Sequence, residues 1–185
     1  FIPHAGCPHQ CVFCNQKTIS GQKLAAVAGA KEQLARWRSW LRPSVVNEAA
    51  FYGGSFTGLP LELQEELLAL TDALLAEGFI GSVRLSTRPD YIDEERLQLL
   101  QCHGVRLVEL GVQSLDDRVL AAAERGHTAA QVAPAVALLK RFGFQVGLQL
   151  MVGMPEQSFD SVQETVRKAI AMQPDVARIY PLLVI

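Results

Sequence analysis

Val105-Arg106-Leu107-Val108-Glu109-Leu110-Gly111, running into Val112-Gln113-Ser114-Leu115, reads as a strand nearly continuous in apolar residues that empties into a polar turn. Strands of that kind belong to parallel sheets. Working outward, the same unit recurs. A short helix over 116–124 follows, then the break Arg125-Gly126-His127 and a helix N-capped by Thr128 that reaches Phe142. Downstream lie a strand over 144–152, the turn Gly153-Met154-Pro155, a helix capped by Ser158 that ends near Met172, and a strand over 176–180. Upstream, a strand over 82–86 leads into Thr87-Arg88-Pro89-Asp90-Tyr91 and a helix over 93–102 opened by three acids. Before it, a strand over 45–52 empties into Gly53-Gly54-Ser55-Phe56-Thr57-Gly58, and Pro60 opens a helix with Leu63, Leu67, Leu70 and Leu74 on one face. A first strand at Phe1-Ile2-Pro3, a cysteine loop and a helix over 28–41 begin the series. About six strands alternating with helices make an α/β fold, its parallel sheet covered on both sides or curled into part of a barrel. Glycines and polar residues follow the strands, at the C-terminal edge where ligands bind in both arrangements.

The composition agrees with one compact domain. Of 185 residues, 49% are hydrophobic and 19% charged, with a formal net charge of −2, which excludes a disordered chain. No apolar run approaches the roughly 18 to 20 residues of a membrane-spanning helix, and no basic stretch leads into an apolar core at the N-terminus. A cytoplasmic location is the expectation. The chain opens on Phe1 and stops at Ile185 straight after Ile179-Tyr180-Pro181-Leu182-Leu183-Val184, so residues 1–185 are expected to be a core domain excised from a longer protein. Charge is uneven: residues 1–42 hold six Lys/Arg and one acid, residues 43–185 eleven Lys/Arg and eighteen acids. A solvated basic helix face accounts for this. The alternative is a patch of Lys17, Lys23, Lys31, Arg36, Arg38 and Arg42 for an anionic partner, with Trp37 and Trp40 available to stack.

Three of the four cysteines fall within eight residues, in His4-Ala5-Gly6-Cys7-Pro8-His9-Gln10-Cys11-Val12-Phe13-Cys14. A secreted disulfide scaffold spreads its cysteines through a small loop-rich chain. One tight C-x3-C-x2-C cluster in a large apolar domain points to metal ligation instead. The three thiolates suit zinc with a fourth ligand such as His9, or three irons of a 4Fe-4S cluster. An electron-transfer cluster takes four thiolates, so three leave one iron open to a ligand. Cys102 stands alone at a helix end and reads as a buried, inert packing residue.

This loop, with an aromatic before its last cysteine and a strand ahead of its first, resembles the radical S-adenosylmethionine (SAM) superfamily. The resemblance implies a partial TIM-type barrel of about six βα units, (βα)6. It implies that Cys7, Cys11 and Cys14 hold a 4Fe-4S cluster whose fourth iron is chelated by SAM, with Phe13 on the adenine side. Gly53-Gly54-Ser55 resembles the glycine pair whose backbone approaches the methionine amino group of SAM. Gln113, with Arg125 twelve residues beyond it, resembles the pair that contacts the ribose and the carboxylate of SAM. Arginine suits a carboxylate because it offers two parallel charged hydrogen bonds. Gln149 stands where the family commonly places an acid on a ribose hydroxyl, and Ser86 where the Elongator catalytic-subunit branch has glutamate. Arg88 and Asp90 match that branch, either as a turn-stabilising pair or as substrate contacts; His127 reads as structural.

Arg125-Gly126-His127-Thr128 and residues 177–185 are similar to the Elongator catalytic-subunit branch, whose members modify wobble uridines of transfer RNA. On that resemblance the chain is the core of an enzyme that reductively cleaves SAM to a 5′-deoxyadenosyl radical, with transfer RNA as a partner. Cluster potentials span roughly −700 to +450 mV and a sulfonium demands the low end, so a ferredoxin- or flavodoxin-type donor is implied. No side chain is expected to act catalytically beyond the cluster and SAM. Two alternatives stay open: a coproporphyrinogen-oxidase-like protein acting on a tetrapyrrole, and a non-catalytic iron–sulfur or zinc module.

Overall fold

The computed structural model describes residues 6–14, 27–44 and 46–182. The expected strand at Phe1-Ile2-Pro3, and Lys17 and Lys23 of the basic segment, lie outside the described residues. The elements follow in the order α1 (Val27–Trp40), β1 (Glu48–Phe51), α2 (Leu61–Ala76), β2 (Ser82–Thr87), α3 (Glu94–Cys102), β3 (Val105–Gln113), α4 (Asp117–Ala122), α5 (Val132–Arg141), β4 (Gln145–Val152), α6 (Phe159–Ala171) and β5 (Val176–Pro181).

The five strands of the described residues are all parallel and lie in the sheet in sequence order, β1-β2-β3-β4-β5. Parallel neighbours need crossovers, and crossovers are right-handed, so an order that never reverses puts every connecting helix on the same face. The other face is left to curl on itself. One contact shows that it does: Arg178 on β5 donates through Nη2 to the hydroxyl of Tyr52, the residue after β1, at 3.3 Å. In a flat sheet those two edges would stand about 19 Å apart. The fold is the α/β partial TIM-type barrel implied by the sequence.

Strand alternation sorts the side chains between the two faces. Val83, Leu85, Val108, Leu110, Val146 and Leu148 pack with Leu67 and Leu68 of α2, Leu97 and Leu100 of α3 and Leu139 of α5, none more than 1% exposed. Each such burial contributes about 1.5 to 3 kcal/mol. The expected leucine stripe is present, with Leu67 and Leu74 buried and Leu63 and Leu70 packed at the margin of the core. On the concave face the alternate residues Arg84, Glu109, Gln149 and Arg178 meet instead.

Helix starts follow the expected caps at Ser158 and Thr128, and Asp93 and Asp116 cap two more. Ser158 accepts from the Ser161 N–H, Asp93 from Arg96 and Asp116 from Arg118, and Thr128 forms a capping box with Gln131 ahead of α5. The expected strand over 45–52 forms only over Glu48–Phe51, and β3 runs two residues further than its apolar stretch, to Gln113. Cys102 corrects the sequence reading: it is exposed. At 100° per residue it lies across the helix from buried Leu97 and Leu100, so the position outweighs the usual tendency of cysteine to bury. In the basic segment Arg38 pairs with Glu77 at 2.5 Å and Arg36 with Glu32 at 3.6 Å, while Trp37 and Trp40 meet edge to face and stay more than half exposed. No helix of the described residues is long and apolar enough to cross a membrane.

Candidate functional site

The cysteine loop is seated on the exit of β1 by two glycines. A Cβ on Gly58 would lie 2.1 Å from the Gly6 carbonyl oxygen, and one on Gly6 would lie 2.2 Å from that of Ser55, so the two backbones touch where no side chain fits. Val12 N–H, further along the loop, donates to Ala123 O at 3.2 Å and ties it to the end of α4. Phe13 packs with Val119, Ala123, Met151 and Met154 in a small apolar cluster of its own. Cys11 is 5% exposed; Cys7 and Cys14 are half-buried. Among the described residues no group of three or more His, Cys, Asp or Glu side chains is already closed to hold a metal ion.

The strand exits meet this loop around one cavity of about 530 Å³. Nine of the ten residues singled out from the sequence line it: Cys7, Phe13, Cys14, Gly53, Gly54, Ser55, Gln113, Arg125 and Gln149. Cys11, the tenth, lies behind Arg125, whose Nη1 reaches its sulfur at 3.7 Å. The Ser55 hydroxyl is engaged inside the protein, 3.0 Å from the Thr87 hydroxyl and accepting from the Arg88 N–H at 3.2 Å. It fastens the β1 exit to the β2 exit.

Gln113 and Arg125 are shaped by backbone. The β3–β4 register shifts between Gly111 and Gln113, and Gln113 sits at φ +67°, a conformation rare for a residue with a side chain. Arg125 donates through Nη2 to Gly111 O at 2.6 Å. Its Nε and the Oε1 of Gln113 are buried with no partner among the described residues. A buried donor and a buried acceptor left unmet beside a cavity mark where a ligand's groups belong.

Among the described residues Arg88, Arg125 and Arg178 line the cavity and no acid does. Burial works against the Arg88 charge, yet its bonds to Asp90 and the negative charge of Asp90, Cys7 and Cys11 outweigh it and raise its pKa. His127 is 4% exposed, and burial first, then the charges of Arg125 and Arg88, push its pKa down to about 4. His9 is lowered by burial and then by Arg88. In both His9 and His127 these surroundings favour the neutral imidazole.

Sequence reasoning missed the acid that lies behind the cavity lining and holds Tyr52, Gln149 and Arg178 of that lining. Glu109 is fully buried; it accepts from Tyr52 at 2.5 Å, from Gln149 Nε2 at 3.1 Å and from Arg84, and pairs with Arg178 Nε at 3.1 Å. Burial raises its pKa, but the bonds from Tyr52, Arg84 and Gln149 and the charge of Arg84 more than reverse this, leaving it below the usual carboxylate range. Tyr52 is raised to about 12 by burial and by Glu109, so the phenol keeps its proton. The available signal was a lone acid in the middle of a strand nearly continuous in apolar residues.

The chain has relatives among known proteins. The chain is 27% identical to a tRNA uridine(34) acetyltransferase of Methanocaldococcus infernus over 98% of its own length and 42% of that protein's. It is 28% identical to an oxygen-independent coproporphyrinogen III oxidase of a Synechocystis species over 91% of its length and 38% of that protein's. The chain thus spans less than half the length of these two relatives. Among solved structures, archaeal Methanocaldococcus infernus Elp3 with an N-terminal deletion superposes with a TM-score of 0.70 at 27% identity, over 86% of this chain and 42% of that one. The profile of the Radical SAM superfamily matches residues 1–169, and with its cysteines, glycine pair and strand exits gathered round one cavity, the chain belongs to that superfamily.

Proposed function

We propose that this chain is the catalytic core of an enzyme that cleaves SAM reductively at the cavity described above. The family's cofactors are a 4Fe-4S cluster and SAM. When bound, they supply one-electron cleavage of a carbon–sulfur bond and a hydrogen-abstracting 5′-deoxyadenosyl radical. The side chains present fit such a pair: three cysteines at one loop, and beside it an unmet buried donor on Arg125 and an unmet buried acceptor on Gln113.

On this reading Cys7, Cys11 and Cys14 hold the cluster, and Arg125 takes the carboxylate of SAM. Gly53 and Gly54 admit the amino group to their backbone, and Phe13 covers the adenine side. Gln113 and Gln149 meet ribose hydroxyls. Gln149 gives its N–H to Glu109, which leaves its carbonyl oxygen as the acceptor. Ser55 acts on the cofactor indirectly, through the turn it fastens. A low-potential donor of ferredoxin or flavodoxin type supplies the electron.

Wobble uridine of transfer RNA is the substrate this reading favours, supported by the archaeal acetyltransferase match over 98% of the chain. A tetrapyrrole is the second reading, supported by the coproporphyrinogen oxidase match. The observation that carries the proposal is the convergence of nine expected residues, from the cysteine loop and four chain segments, on one cavity. The test is anaerobic reconstitution of the full chain with iron and sulfide, then dithionite and SAM, with 5′-deoxyadenosine followed by chromatography. Turnover in the wild type and none in Cys11→Ala is expected. A zinc complex that binds no SAM would overturn it.

A further inference from the structure

Two of the three arginines lining the cavity have an assignment. Arg88 is answered by Asp90, and Arg125, on the function proposed above, by the carboxylate of SAM. Arg178 remains. Its Nε lies 3.1 Å from Glu109 Oε2, Nη1 donates to the Tyr180 hydroxyl at 3.2 Å and Nη2 to the Tyr52 hydroxyl at 3.3 Å. The guanidinium also rests over the Tyr52 ring, 5.4 Å from its centroid. A guanidinium carries five N–H groups; here one on each terminal nitrogen donates to a tyrosine hydroxyl, and Nε stands in an ion pair with Glu109. One N–H on each terminal nitrogen has no acceptor among the described residues.

An arginine normally gives up much rotamer freedom when it grips a ligand. Here Glu109 and two tyrosines hold it beforehand, while 36% of the side chain stays open at the rim. A fixed planar cation with two N–H groups to spare is the arrangement that takes a carboxylate or phosphate by two parallel hydrogen bonds. In register Arg178 sits beside Gln149, so a group bound there lies next to the place assigned to the SAM ribose.

We propose that Arg178 is the substrate's oxyanion anchor, taking a phosphate or carboxylate group at the cavity rim, with Glu109, Tyr52 and Tyr180 as the residues that position it. The assignment rests on the proposed function insofar as Arg125 is reserved for SAM. A phosphodiester of RNA and a propionate of a tetrapyrrole share the required chemistry.

The test titrates the anaerobically reconstituted full chain with SAM and, separately, with inorganic phosphate, an anticodon stem-loop RNA and coproporphyrinogen III. Wild type is compared with Arg178→Gln, Arg178→Lys and Tyr180→Phe. At least one of the three anions is expected to bind the wild type. Arg178→Gln weakens that anion about tenfold or more, Arg178→Lys less, and in both the fall exceeds any fall in SAM affinity. Tyr180→Phe removes one hydroxyl from an exposed side chain and leaves the Glu109 pair in place, so it gives a smaller loss in the same direction without threatening the fold. RNA as the sensitive ligand identifies phosphate as the source; coproporphyrinogen identifies carboxylate. No anion binding to the wild type, or equal binding by Arg178→Gln, overturns the proposal. Loss of SAM binding by the wild type overturns the proposed function instead, and an anion affinity that depends on Arg178 would survive it.

Discussion

Arg88 donates through Nη1 to the backbone carbonyl of Arg125 at 2.7 Å, while its Nε and Nη2 close on the two carboxylate oxygens of Asp90 at 2.9 Å each. The side chain is 2% exposed. It braces the turn that carries Arg125 against the exits of β1 and β2, so the Arg88–Asp90 pair stabilises that turn while Arg88 also lines the cavity. Removing the guanidinium leaves a half-buried carboxylate and a bare carbonyl. Arg88→Ala is expected to cost about 3 kcal/mol or more and to weaken SAM through a displaced Arg125. Lysine, a point charge facing three acceptors, recovers only part. Urea denaturation and SAM titration on the same samples check this; lost stability with unchanged SAM affinity would show that Arg125 does not depend on the brace.

The pH dependence of stability should carry the signature of His127. Its pKa falls from 6.5 to about 4 in the folded chain, through burial and then Arg125 and Arg88. Between those values the unfolded chain binds a proton that the native chain does not, so stability drops as pH falls. The contribution is complete above 6.5 and lost progressively toward 4. Roughly 2 kcal/mol should disappear between about pH 7 and pH 5. Glu109 and Asp90, both held below their ordinary values of 4.5 and 3.8, keep their contributions through that window and lose them only in stronger acid. Urea midpoints across the range test it. A slope that persists undiminished in His127→Gln would assign the effect elsewhere.

The contact between Gly6 and Gly58 makes a prediction about cofactor retention. A methyl on Gly58 would come within 2.1 Å of the Gly6 carbonyl oxygen, a backbone atom that cannot swing aside. Gly58→Ala must therefore lift the cysteine loop from the β1 exit, at about 1 to 3 kcal/mol of strain. Iron bound after reconstitution should fall well below the wild-type level, although every cysteine is intact. Full iron content would mean that the loop finds its cluster geometry without that seat.

The sheet, the helix caps and the gathering of site residues were legible in the sequence because they rest on local signals: apolar runs, capping side chains and glycines just past strands. The concave-face network was not, since Arg84, Glu109, Gln149 and Arg178 come from four strands and meet only because the sheet curls. Two clues lay beside it. Ser86 and Gln149, noted as departures from the family pattern, are both neighbours of Glu109: Ser86 pairs with it in register, and Gln149 donates to it. Gly147, across from Glu109 on β4, would clash with its Cγ at 2.7 Å if it carried a Cβ. Small or neutral residues around one buried acid are a tertiary pattern, and chain order does not display them together.

That neighbourhood explains why an amide at Gln149 suits this chain and predicts what restoring an acid would do. Gln149 Nε2 donates to a Glu109 oxygen at 3.1 Å, so Gln149→Glu would set two carboxylates within hydrogen-bond distance. Like charges that close cannot both stay ionised cheaply, and one pKa rises. The variant is expected to lose about 2 kcal/mol at neutral pH. The loss should shrink in mild acid, where one carboxyl takes a proton and donates to the other. Glu109→Gln alone leaves Arg84 and Arg178 without their shared partner and is costly for a different reason. Combining the two substitutions restores one carboxylate and one amide to the network, so the double variant should be more stable than the sum of the single losses by about 1 kcal/mol or more. A urea double-mutant cycle at neutral pH measures that coupling. Strict additivity would mean that Glu109 and Gln149 act independently, and that Gln149 owes its amide to something other than the acid beside it.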